Sequence, residues 1–105
     1  MLLPSGIVQE TQINAAITDV YRQLAPDVVR IRYDFGQDWS GDDAIFFRIL
    51  ISDDAARTQK RIRETVDRTM HLLESVLNFT GMGLLVYHNV RSVSEQAMLR
   101  EKSWE

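Results

Sequence analysis

The residues able to do chemistry fall into an acidic turn, a set of arginines on two strands, and two isolated histidines. The acids Asp34, Asp38, Asp42 and Asp43 are the densest group, with Asp53 and Asp54 further on. A hard cation such as magnesium or calcium needs several oxygens converging at one point. Their spacing departs from a calcium-binding loop and no histidine stands near, so turn geometry accounts for them better than metal binding. A metal-dependent hydrolase built on Asp38, Asp42 and Asp43 is the least favoured class. Trp39, inside the same polar turn, either folds back as a lid or meets a partner, because exposed aromatics mark contact surfaces.

Arg30, Arg32 and Arg48 share one strand face with Phe46. Three readings compete. Stacking on Phe46 with phosphates on the arginines makes a nucleic-acid or anion platform. Arginine stems packed on an amphipathic outer face, pairing with Asp34, make a merely structural surface. Val28, Phe46 and Leu50 beside only three arginines also suit a dimer interface, where arginine is enriched and lysine depleted. The chain has ten arginines and two lysines and carries a net charge of −3, which favours the interface over nucleic acid. A second basic set, Arg57, Lys60, Arg61 and Arg63, is the anion-binding alternative, but it lacks a glycine-rich loop.

His71 and His88 stand alone, without a second ligand at metal spacing. Gly81-Met82-Gly83 leads from helix to strand and has no lysine, unlike a phosphate loop. Nucleophile-elbow, zinc and dinucleotide motifs are absent, and without cysteine there is neither thiolate nor disulfide. No catalytic constellation results, and no metal or cofactor is expected.

The elements that position these residues follow from periodicity. Residues 1–10 read as irregular, after which Thr11 caps a helix to about Ala25. Its stripe is Ile13, Ala16, Ile17, Val20, Tyr21 and Leu24, and Pro26 stops it. Val28–Phe35 and Ala44–Ile51 read as strands of a hairpin, with Val29, Ile31, Tyr33 and Phe35 facing the core. Ser52-Asp53-Asp54 caps a long helix to Thr80 with Gly81 as its left-handed stop. Such a helix is on the order of 40 Å long and overhangs a small sheet. Gly83–His88 reads as a buried, central third strand, with Asn89–Val93 as an optional extension. Ser92 and Glu95 have capping-box spacing and open a last helix to about Lys102.

The expected fold is a single-domain α+β two-layer sandwich over residues 1–105, in the order α-β-β-α-β-(α). It has a three-stranded sheet containing an antiparallel hairpin, with helices on one face. The third strand lies either parallel to the second or beside the first. Composition is that of a globular protein, with 45% hydrophobic and 26% charged residues. No stretch is apolar enough to span a bilayer and no signal peptide is visible, so no membrane role is expected. Lack of cysteine suits the cytoplasm. The function expected is a small non-enzymatic module that forms a homodimer or binds a protein partner. Arg30, Arg32, Phe46, Arg48 and Trp39 are its interface candidates, and nucleic acid is the disfavoured alternative.

Overall fold

Runs of β-branched and aromatic residues on either side of an acidic turn pair as an antiparallel hairpin, and an amphipathic helix then carries the chain back to add a third strand. The computed structural model describes Leu3–Glu105, with side chains from Glu10 onward. It runs α1 (Leu3–Leu24), β1 (Val28–Gln37), β2 (Asp43–Ile51), α2 (Gln59–Val76), β3 (Leu85–Ser92), α3 (Val93–Leu99) and a closing 3-10 turn (Lys102–Trp104). The sheet order is β1-β2-β3, with β3 parallel to β2. The expected α+β class and element order hold.

The core fills one sheet face. Ile13, Ala16, Ile17, Val20 and Leu24 of α1 and Val66, Met70 and Leu73 of α2 pack on Ile31, Ile45, Phe47 and Ile49. α1 also guards the β1 edge. The Tyr21 hydroxyl accepts the Ile31 N–H at 2.8 Å, occupying a backbone donor that would otherwise invite strand pairing.

Several sequence expectations are corrected by this packing. α1 starts at Leu3, so residues 3–10 are helical and Thr11 lies inside the helix. Pro4 does not interrupt it, because first-turn N–H groups have no helical partner to lose. A bulge between Val28 and Arg30 turns Val28 into the core and leaves Val29 exposed, the reverse of simple alternation.

α2 begins after Thr58, whose side chain accepts the Arg61 N–H, and not after Ser52. Ser52 closes a separate turn by accepting the Ala55 N–H at 3.1 Å, and buried Ala55 pins that turn against the core. With 18 residues α2 is about 27 Å long, comparable to nine-residue β2 at about 30 Å, so no charged overhang exists. The helix ends at Val76, with Leu77 already extended, because Leu77 and Phe79 are drawn into the core. The left-handed glycine is Gly83, φ 75°, and not Gly81.

β3 is an edge strand and β2 is the centre. The optional extension through Asn89 is realised, and the strand runs to Ser92. Ser92 and Glu95 form the expected capping box of α3, which stops at Leu99.

Candidate functional site

The sheet face opposite α1 and α2 gathers most of the candidate residues. Register places Arg30, Arg32, Asp34 and Gly36 of β1 there, beside Ala44, Phe46, Arg48 and Leu50 of β2. β3 adds Leu85, Tyr87, Asn89 and Arg91 to the same face. The face is divided into two unlike halves.

Over the half away from the hairpin tip lie α3 and the C-terminal segment 101–105. Three arginines hold the segment by its main chain. Arg48 Nε donates to Ser103 O, Arg30 Nη1 to Trp104 O at 3.3 Å, and Arg32 Nε to Glu105 O at 2.7 Å. Arg48 also pairs with Asp34 at 2.7 Å. Trp104 is buried beneath the Arg91 guanidinium, which sits 4.4 Å from the ring centroid and pairs with Glu101. Buried Gln96 of α3 donates to Glu101 O at 2.7 Å, fixing the start of the segment. The apolar character of this face around Leu50 thus has an intramolecular cover.

The half nearest the hairpin tip is open. Phe46 and Tyr87 are directly opposite across β2 and β3 and stack at 5.4 Å with planes 16° apart. Trp39 meets Tyr87 edge-on at 5.9 Å and remains 87% exposed. Leu85, 45% exposed, continues the row. Between this row and the C-terminal segment runs an open groove of about 580 Å³ whose walls include Phe46, Tyr87, Leu99 and Trp104.

The tip itself is built on Asp38. Its carboxylate accepts the Ser40 N–H at 2.9 Å, the Ser40 hydroxyl at 2.6 Å, the Asp42 N–H at 3.1 Å and the Tyr87 hydroxyl at 2.7 Å. The Ser40 and Tyr87 hydrogen bonds, favouring the charged form, hold the Asp38 carboxyl down at about 2. The same bond pushes the Tyr87 phenol above its ordinary value. Gly41 supplies the positive φ that closes the turn. Among the described residues no three acids or histidines converge where a metal ion could sit.

The second basic set lies elsewhere, around the start of α2. Arg57 faces Asp54 at 3.3 Å, Arg61 bridges Asp27 at 3.5 Å and Asp54 at 3.4 Å, and Lys60 is 4.0 Å from Glu64. Arg63 stands exposed on the same helix. His71 and His88 are both exposed, one on α2 and one on β3.

Sequence reasoning singled out Trp39, Phe46 and the three arginines, and the open face carries all of them. It missed Tyr87, Leu99 and Trp104. Alternation along β3 places Tyr87 once β3 is known to run parallel to β2. Trp104, like Trp39, is a tryptophan in polar surroundings, which was the available signal. Among described residues no helix is long and apolar enough to cross a membrane. No family model, curated protein or solved structure matches the chain.

Proposed function

We propose that the chain is a non-enzymatic interaction module that self-associates, or docks a protein partner, through the open half of its sheet face. The observation that carries this reading is the contiguous row Trp39, Tyr87 and Phe46, with Trp39 almost wholly exposed although its loop is tied down by Asp38. Rigid aromatic rings lose little conformational entropy on binding and anchor protein contacts. Arg30, Arg32 and Arg48 serve the face indirectly, by holding the segment that walls the groove.

Nucleic acid is the weaker reading. Those arginines already donate to the chain's own oxygens, and Arg57 and Arg61 face Asp27 and Asp54. The cysteine-free composition fits a reducing compartment such as the cytoplasm.

The test is the solution mass by light scattering at low and high salt, for the wild type and for Phe46→Asp. The wild type should exceed the monomer mass at both salts. The variant should fall to the monomer mass with its circular dichroism intact. An unchanged mass in Phe46→Asp removes this face from the reading. A monomeric wild type leaves the face to a different protein.

A further inference from the structure

The open face has a step in it. α3 and the 3-10 turn stand on the half away from the tip, while the tip half is an uncovered shelf. On the raised part Met98 is 85% and Leu99 52% exposed, next to exposed Arg100 and Lys102. Neither of those two cations has a carboxylate partner among the described residues, whereas Glu101 is held by Arg91 and Glu95 closes the α3 capping box. The shelf carries the aromatic row and Leu85, bordered by Asp42, which stands near Tyr87 and has no cationic partner among the described residues. The two halves are therefore complementary in apolar surface and in charge.

Resting on the reading above and naming its occupant, we infer that the face binds a second copy of this chain, ridge on shelf. A two-fold axis lying across the strands turns one copy face down and end for end. Met98 and Leu99 of each copy then meet the Trp39–Tyr87–Phe46 row of the other, and Arg100 and Lys102 meet Asp42. Every contact occurs twice, as an isologous interface requires. The opposite arrangement, tip over tip, sets acid against acid and leaves a gap between the shelves. Exposed charges set the register and contribute modestly, while the aromatic row against Met98 and Leu99 supplies the buried area.

Charge reversal tests the pairing. Asp42→Lys and Lys102→Glu alter exposed residues, and circular dichroism checks that each variant folds. In each variant alone both symmetry-related contacts become repulsive, and the dimer dissociation constant at low salt should rise about tenfold. An equimolar mixture pairs each altered residue with an opposite charge and should restore wild-type affinity by sedimentation. Met98→Asp should yield a monomer and is not rescued by mixing with either variant.

A mixture no tighter than its components overturns the pairing, and so does a monomeric wild type. If Phe46→Asp dissociates the dimer while both charge reversals leave it untouched, this pairing fails and the open face survives as the contact surface.

Discussion

Asp38 is unusual among the four acids of the hairpin in accepting four hydrogen bonds, three on Oδ1 and one on Oδ2. Two backbone N–H groups and two hydroxyls converge on it, and one of the hydroxyls belongs to β3, 49 residues away in sequence. The bond to Tyr87 fixes the tip relative to the sheet, and with it the pose of Trp39. Because the folded carboxyl titrates at about 2, below its ordinary 3.8, its stabilising contribution is complete above that ordinary value and disappears as pH falls through 2. Carbon NMR of the carboxyl should place the titration near 2 in the wild type. Tyr87→Phe removes one donor, so the midpoint should move up toward the ordinary range, and Trp39 fluorescence should change at a correspondingly higher pH. A midpoint unmoved in Tyr87→Phe would show that the Ser40 contacts alone hold the charge.

At the scale of elements, the C-terminal segment decides what the arginines do. Trp104 is its only buried residue, and the other contacts are polar: guanidinium and Gln96 amide bonds to main-chain oxygens and the Arg91–Glu101 pair. Trp104→Ala should cost about 3 kcal/mol in urea unfolding, at the lower end for a buried aromatic because the site opens to solvent. A loss under about 1 kcal/mol would mean that the arginines, not the indole, anchor the segment. This segment was hidden in the sequence because Lys102-Ser103-Trp104 has no period to read. The α1 stripe, both hairpin strands and the Ser92 capping box were legible because each is a local pattern with a local cause. The start of α2 was not, since Ser52 and Thr58 are equally good caps and only the burial of Ala55 separates them. The edge position of β3 was also misread. Its apolar run suggested a central strand, but Val86 and Val90 are covered on the core side alone. Phe46 and Trp39 were found as candidates because aromatics are conspicuous among charges. The fate of Arg30, Arg32 and Arg48 depended on contacts more than 50 residues away.

The whole molecule is a sheet with one face committed to folding and the other divided between self-cover and exposed aromatics. Local stability should follow that division. β2 is hydrogen-bonded on both sides and its core-facing side chains are fully buried, so amides of Ile45–Ile49 should exchange with solvent most slowly. The tip around Trp39–Gly41 and the segment around Arg100–Lys102 make few buried contacts and should exchange fastest in dilute protein. Raising the protein concentration distinguishes the possible uses of the open face. Ridge-on-shelf pairing buries tip and segment together, so both should gain protection in parallel while β2 is unchanged. A dimer formed through the β3 edge would instead protect Leu85–Val90 and leave the tip and segment as they were. If tip and segment exchange rates do not depend on concentration, the aromatic row is free in solution. The surface would then be held ready for a protein other than a second copy of this chain.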